Sequence, residues 1–234
     1  VAPAMLKQKT RGLYPAPEYA LAAMVEGAQV DFDTALRIES RYLAKLIVSP
    51  VAKNMINTFF FNMNAIKSGQ SRPKDVPRYK PQKVGLLGAG MMGAGIAYAQ
   101  ASRGVATVLK DVSLDKADHG KAYSVKLTQP RVDKGRMSPH DQQALLGRIT
   151  TTDKAADLQG CDLIIEAVFE QRELKARVTQ EAEPMLAQGG FFASNTSTLP
   201  IGGLASASAR PDKFIGIHFF SPVDKMKLVE IIRG

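Results

Sequence analysis

The residues whose types and spacing point most plainly to chemistry stand between positions 88 and 111. Gly88-Ala89-Gly90-Met91-Met92-Gly93 has the pattern G-x-G-x-x-G, and each glycine has a task in holding an anionic dinucleotide. Gly88 permits a tight turn, Gly90 lets the backbone approach a pyrophosphate, and Gly93 lets a helix pack closely on the preceding strand. Met91 and Met92 fall where the free backbone N–H groups of a first helical turn meet phosphate oxygens, aided by the positive end of the helix dipole. Asp111 follows Gly88 by 23 residues, the spacing expected of a carboxylate that accepts from the adenosine ribose hydroxyls. Such a carboxylate repels a 2′-phosphate, so the pattern favours NAD over NADP, with neighbouring Lys110 as an opposing charge. The bland reading is a glycine-rich turn without a ligand. A flavin, whose adenosine half uses the same fingerprint, is the competing cofactor.

These residues have meaning only if the elements around them are right. Val84-Gly85-Leu86-Leu87 is an apolar run leading straight into the glycines. A helix over Met91–Ser102 and a strand over Ala106–Lys110 follow, the latter ending at Asp111. Further strands are predicted at Arg148–Thr151, Leu163–Ala167, Phe191–Ser194, Phe214–His218 and Leu228–Ile232. Helices are predicted at Leu114–Leu127, Pro139–Leu146 and Arg172–Leu186. This alternation implies an α/β fold, a Rossmann-type, mostly parallel sheet with helices on both faces, over residues 82–234.

Residues 1–66 read instead as a helical segment, and 67–81 as a polar linker containing Pro and Gly. In the helical segment, Tyr14-Pro15-Ala16-Pro17 breaks the chain before a helix over Glu18–Gly27. Asp33 is expected to cap a second helix, running to about Leu46. Ser49 and Pro50 read as the cap and first turn of a third, extending to about Ile66. Phe59, Phe60 and Phe61 are consecutive and cannot share one helical face, so at least one is expected to contact something outside that helix.

Composition excludes several classes. The single cysteine, Cys161, rules out an intramolecular disulfide framework and a multi-cysteine metal site, and its place at the head of an apolar run suggests a small buried residue. His119, His140 and His218 are too scattered in sequence to suggest a zinc cluster, so no metal is expected. No run of about 18 uncharged apolar residues exists, and the first ten residues lack the apolar core of a signal peptide. The start at Val1 rather than Met reads as trimmed or processed. The net charge is +9. Much of the excess lies in Lys67, Arg72, Lys74, Arg78, Lys80 and Lys83, set against Asp75 alone, and reads as a solvated linker. No nucleic-acid-binding signature accompanies it.

Three later blocks complete the pattern: Asp162-Leu163-Ile164-Ile165-Glu166-Ala167-Val168-Phe169-Glu170, then Ser194-Asn195-Thr196-Ser197, then Gly216-Ile217-His218-Phe219-Phe220-Ser221-Pro222-Val223 with Met226 to Ile232. In this order and spacing they resemble the 3-hydroxyacyl-CoA dehydrogenase family, and most closely the α-subunits of fatty-acid oxidation complexes. The resemblance covers 82–234 and decides against a flavin. Residues 1–80 resemble, more loosely, the last helices of a preceding enoyl-CoA hydratase part and its linker, without any hydratase catalyst.

The resemblance implies NAD-dependent oxidation of an L-3-hydroxyacyl-CoA to the 3-oxoacyl-CoA, with His218 and Glu230 as the catalytic pair. An imidazole at a strand end suits proton transfer near neutral pH. Glu230, twelve residues later on the next strand, is placed to orient its other nitrogen. Ser197 matches a hydroxyl that contacts substrate near the nicotinamide, Glu170 and Lys175 match cofactor-contacting positions, and Asn195 lies in the same loop. Lys134, with Lys126 and Arg131 nearby, is the nearest match to basic residues that meet coenzyme A.

Bland readings stand beside each role: a strand-end histidine, an edge-strand charge at Glu230, an i,i+5 pair on a solvated helix start, solvated lysines, and a cap by Asn195 or Ser197 for a helix begun at Pro200. Position 221 is serine where many members have asparagine. The family's helical C-terminal domain, which follows the strand bearing Glu230 and supplies a catalytic asparagine, lies beyond Gly234. The resemblance therefore implies a fragment that binds NAD with little turnover, from a parent carrying a hydratase and associating with a thiolase. A bacterial cytoplasm fits, as does a mitochondrial matrix. A non-catalytic NAD-binding module and another Rossmann-fold oxidoreductase remain the alternatives.

Overall fold

Short apolar runs punctuated by glycine and polar residues build the sheet. The computed structural model describes residues 1–234, which divide into two compact units, Val1–Arg78 and Tyr79–Gly234. The second holds β1 (Lys83–Leu87), β2 (Ala106–Lys110), β3 (Ile149–Thr152), β4 (Cys161–Glu166), β5 (Leu186–Ser194), β6 (Phe214–Phe219) and β7 (Val229–Ile232). They form one seven-stranded sheet in the order β3-β2-β1-β4-β5-β6-β7. Neighbours from β3 to β6 pair in parallel, and β7 pairs antiparallel with β6. This is the Rossmann-type arrangement expected from the sequence, its direction of winding reversing between β1 and β4.

Helices fill both faces. Between strands lie α6 (Met91–Ala101), α7 (Leu114–Asp133), α8 (Pro139–Gly147), α9 (Arg172–Ala182) and α10 (Ile201–Ala205). Alternation along β1 explains two cores. Val84 and Leu86 join Ile96 and Ala97 of α6 and Leu145 of α8 in one. Leu87 joins Ile164, Phe192, Ala182 of α9 and Leu204 of α10 in the other. Leu86, Ile96, Ile164 and Phe192 are fully buried, each worth about 1.5–3 kcal/mol of transfer free energy. Tyr79 belongs with this unit because its hydroxyl donates to the Asp162 carbonyl at 2.7 Å and its ring packs edge-on to Phe191.

Several element boundaries differ from the sequence expectation. Helix α7 runs past Leu127 through Pro130 to Asp133. Buried Thr128, whose hydroxyl donates to the Ser124 carbonyl at 2.8 Å, anchors its last turns, and the proline falls near the end, where few backbone donors are lost. β5 starts five residues before Phe191 because Leu186 pairs with Cys161 ahead of an irregularity in the ladder. Helix α9 stops at Ala182, and the chain turns through Glu183–Met185 into β5.

The first unit is helical: α1 (Ala2–Thr10), α2 (Pro15–Gly27), α3 (Phe32–Ile47), α4 (Pro50–Met55), a π-helical stretch Ile56–Asn62 and α5 (Met63–Lys67). Pro15 and Pro17 do not break the chain before α2. They sit in its first turn, where a missing N–H costs nothing. Nor does Asp33 cap α3; the cap is Asp31, whose carboxylate accepts from the Thr34 amide at 3.0 Å. Ser49 caps α4 as expected, accepting from the Ala52 amide at 3.1 Å. α2 and α3 approach closely at Gly27, where an added Cβ would lie 3.3 Å from that of Ala35. Phe59, Phe60 and Phe61 are 67%, 58% and 60% exposed, and the Phe60 and Phe61 rings meet edge-on at 5.3 Å.

Helix α6 leans on the turn after β1 without clearance: a Cβ on Gly93 would stand 1.8 Å from the Gly88 carbonyl oxygen. Backbone cannot yield cheaply, so Gly93→Ala is expected to destabilise by at least about 2 kcal/mol. That lowers the melting temperature by about 4–8 °C, measurable by calorimetric unfolding; an unchanged melting temperature contradicts the packing described.

Candidate cofactor and active site

The glycine turn is built as the sequence requires. Gly88 has φ +92°, a conformation costly for other residues, and a Cβ there would lie 2.8 Å from the Ala167 carbonyl oxygen. Gly90 caps α6 from an extended conformation, and a Cβ on it would meet nothing within 4 Å. The space beside it is open. No side chain caps the first turn of α6, so the amides of Met91 and Met92 are left to a ligand. Gly120 of α7 was not singled out in the sequence, yet a Cβ there would lie 2.6 Å from the Ala89 carbonyl oxygen. A glycine within a helix reads as a weakness until its neighbour is known.

Asp111, at the end of β2, is already oriented. One carboxylate oxygen accepts from the Ala89 amide at 2.6 Å and the other from the Val112 amide at 2.7 Å. Each oxygen keeps a further lone pair for a ribose hydroxyl. A small pocket of about 60 Å³ adjoins it, lined by Leu87, Gly88, Asp111, Val112 and Val168 among others. Lys110 is not free to receive a 2′-phosphate, since its ammonium lies 3.1 Å from the Glu181 carboxylate and its side chain is 12% exposed. Open backbone donors, a held carboxylate and an apolar wall fit the adenosine and pyrophosphate of NAD.

His218 and Glu230 meet as Cα partners across β6 and β7. The imidazole Nδ1 lies 2.7 Å from a Glu230 carboxylate oxygen, which places the ring proton on Nδ1 and leaves the Nε2 lone pair as acceptor. The Phe220 ring stands 4.6 Å from the imidazole, centroid to centroid. Asn195 ties the neighbouring loop to this strand, its side-chain oxygen accepting from the Phe219 amide at 2.8 Å.

That loop is held from below. The Ser197 and Thr198 amides donate to one Glu170 carboxylate oxygen at 3.0 and 3.2 Å, and the Thr196 hydroxyl donates to it as well. The other Glu170 oxygen lies 3.1 Å from the Lys175 ammonium. Glu170 and Lys175 are therefore not a solvated pair, for Lys175 is only 2% exposed. Asn195 and Ser197 do not cap α10, which opens at Pro200 without a side-chain cap. Ser197 itself is exposed. Desolvation would raise the Glu170 carboxyl, but the Thr196 hydroxyl, the Lys175 ammonium and the Thr198 amide together hold it at about 2.

Two expected residues stand apart. Lys134 ends α7, exposed and without an ion pair to the groups above, and Lys126 is likewise exposed. Cys161 is fully buried, and burial pushes its thiol up to about 11, the behaviour of an inert core residue.

Residues 83–234 match the NAD-binding domain of 3-hydroxyacyl-CoA dehydrogenase. The chain belongs to that family. The fatty acid oxidation complex α-subunits of Psychrobacter arcticus and Psychrobacter cryohalolentis are each 37% identical to it over 221 residues, 94% of this chain and 30% of theirs. The chain thus spans about a third of the length of these relatives. Among solved structures, the (S)-3-hydroxybutyryl-CoA dehydrogenase PaaH1 of Ralstonia eutropha is 37% identical, with a TM-score of 0.63 over 66% of this chain and 55% of that one. FadB2 of M. tuberculosis is 34% identical, with a TM-score of 0.62 over 65% and 54%. The dehydrogenase part of multifunctional enzyme 1 of C. elegans is 28% identical, with a TM-score of 0.58 over 67% and 36%.

In this 3-hydroxyacyl-CoA dehydrogenase domain NAD is the cofactor, and the open glycine turn and held Asp111 have the chemistry to fit it. Glu166 and Ser194, quoted in the motif blocks but given no role there, lie beneath the loop with no exposed surface. A glutamate closing the apolar run Leu163-Ile164-Ile165 was the available signal.

The depressed Glu170 carboxyl makes a pH prediction. A folded value below the ordinary 4.5 means that its contribution is complete above 4.5 and fades as the pH falls towards about 2. The Ser197 and Thr198 amide resonances are therefore expected to hold their shifts from pH 7 down to about 3.5 in an NMR titration. A midpoint at the ordinary glutamate value would mean that Glu170 does not hold the loop.

Proposed function

We propose that the chain serves NAD-dependent oxidation of an L-3-hydroxyacyl-CoA to the corresponding 3-oxoacyl-CoA. The observation that carries this reading is the His218–Glu230 contact of 2.7 Å, in register across two strands and beside the loop bearing Ser197. Oxidising a secondary alcohol removes a hydride from carbon and a proton from the hydroxyl. NAD⁺, when bound, supplies the hydride acceptor. His218 Nε2 takes the proton, and Glu230 keeps the ring oriented and offsets the imidazolium charge. Ser197, exposed on a loop fixed through its own amide, serves as a hydroxyl toward the substrate. Gly88, Gly90, Met91, Met92, Gly93 and Asp111 bind the cofactor, with Asn195, Glu170 and Lys175 shaping the nicotinamide side. Lys134 is assigned a coenzyme A contact on resemblance alone.

The relatives' names and lengths support a domain working within a larger subunit of fatty acid oxidation; the hydratase and thiolase activities beside it are assigned on resemblance alone. A bacterial cytoplasm is the compartment we assign, on the resemblance alone. A module that only held NAD would have no use for an aligned His–Glu pair, and this favours the enzyme.

Calorimetric titration of this chain tests the cofactor half. NAD⁺ is expected to bind saturably, and Asp111→Ala to weaken it by about 10–100-fold, the loss of hydrogen bonds to a charged acceptor. NADP⁺ is expected to bind at least about tenfold more weakly, through like-charge repulsion at Asp111. Equal binding of NAD⁺ and NADP⁺ would sink the assignment of Asp111. In a polypeptide extended to the relatives' length, His218→Gln is expected to lower kcat on a 3-hydroxyacyl-CoA by about 10²–10⁴-fold; full activity in that variant rules out His218 as the base.

A further inference from the structure

Beneath the site lies a set of charges that the proposed chemistry does not use. Glu166, the last residue of β4, has no exposed surface, and Lys175 of α9 is 2% exposed. The Lys175 ammonium has three hydrogens and three close acceptors: the two Glu166 oxygens at 2.9 and 3.0 Å and Glu170 at 3.1 Å. Nothing is left over for a ligand. Glu166 also accepts from the Ser194 hydroxyl and, at 3.3 Å, from the Val168 amide. The Lys175 ammonium and the Val168 amide can only donate to it, which favours the ionised form, while burial pushes this carboxyl up from its usual range.

The set is connected to the site in two ways. Through Lys175 it fixes Glu170, which in turn holds Thr196, Ser197 and Thr198. Through its own carbonyl oxygen, Glu166 accepts from the Asn195 amide at 2.9 Å, and Asn195 bonds the residue after His218.

We infer that Glu166 is a positioning residue: with Ser194, it holds the Lys175 ammonium against Glu170 and so sets where the 195–198 loop presents its hydroxyl and amide groups to the nicotinamide half of the cofactor. The inference rests on the NAD-binding reading above. Lys175 then influences the cofactor through Glu170 and the loop rather than by donating to it. Glu166→Gln keeps the shape and two hydrogen-bonding atoms but removes the charge that shares the ammonium. Lys175 is then drawn wholly to Glu170, and the loop shifts with that carboxylate.

The test compares NAD⁺ with ADP, which fills only the adenosine half, by calorimetry on this chain, with ¹H–¹⁵N spectra of the same samples. Glu166→Gln is expected to weaken NAD⁺ about tenfold while ADP stays within about twofold, with the Ser197 and Thr198 amide resonances moving away from their wild-type positions. A residue serving stability alone would lower the melting temperature and weaken both ligands together. Parallel weakening, or unmoved amides with unchanged NAD⁺ affinity, overturns the inference. Should Glu166→Gln fail to fold, Ser194→Ala, which removes the hydroxyl that donates to Glu166 and accepts from the Thr196 amide, is expected to shift the same amides and to weaken NAD⁺ selectively by about threefold. Should the wild-type chain bind neither ligand, the cofactor reading falls, and the amide shifts of the variants still decide whether Glu166 sets the loop.

Discussion

Helix α6 can lie on the turn after β1 only because no side chain stands between them. With a Cβ of Gly93 reaching 1.8 Å from the Gly88 carbonyl, any other residue would tilt the helix away. That one contact fixes where the first helical turn points its unpaired amides, and the open space beside Gly90 follows from it. The turn also has to clear β4, whose next carbonyl, at Ala167, would lie 2.8 Å from a Gly88 Cβ. Glycines here define a surface made of backbone, which can approach a pyrophosphate more closely than any side chain would allow.

The parallel sheet then gathers the remaining groups. Strands that run the same way end on the same edge, so Gly88 after β1, Asp111 after β2, Glu166 closing β4 and Asn195 after β5 meet although they are far apart in sequence. The antiparallel β7 is needed for a different reason. Only a strand returning beside β6 can set Glu230 opposite His218 as a register partner. Burying Glu166 and Lys175 is costly because both ions lose their water, and such a pair is retained only when nearly all its hydrogen-bonding capacity is met. Here the capacity is met almost entirely by the groups that shape the loop, which ties the cost to the site rather than to the core.

How much of this was legible depended on whether the signal was local. The strands around β1 and β2, the glycine turn and Asp111 follow from apolar runs, punctuation and spacing within thirty residues. His218 and Glu230 were legible as a pair mainly through the family resemblance, with two adjacent predicted strands to carry them. The cap of α3 was misplaced by two residues because Asp31 and Asp33 both flank the helix start, and only the Thr34 amide distinguishes them. Helix α7 was ended too early, at Leu127, because the burial of Thr128 and its bond from Gln142 of α8 have no local mark. The burial of Lys175 was the least legible, since lysine is almost never fully buried and its partners come from another strand and from the chain leading into α9.

The net charge of +9 gives little indication of the field at the site. The lysines nearest the cofactor positions are neutralised locally, Lys110 by Glu181 and Lys175 by Glu166 and Glu170. What a dinucleotide meets is the partial positive charge of helix amides at one point and the full negative charge of Asp111 at another. Attraction of phosphate by the first acts on every nucleotide alike. On the proposed assignment discrimination comes from the second, a carboxylate suited to accept from ribose hydroxyls and to oppose a phosphate in their place. The Lys110–Glu181 pair, with the lysine side chain only 12% exposed, keeps that ammonium partnered, so the cation next to Asp111 in sequence is not free to receive a 2′-phosphate.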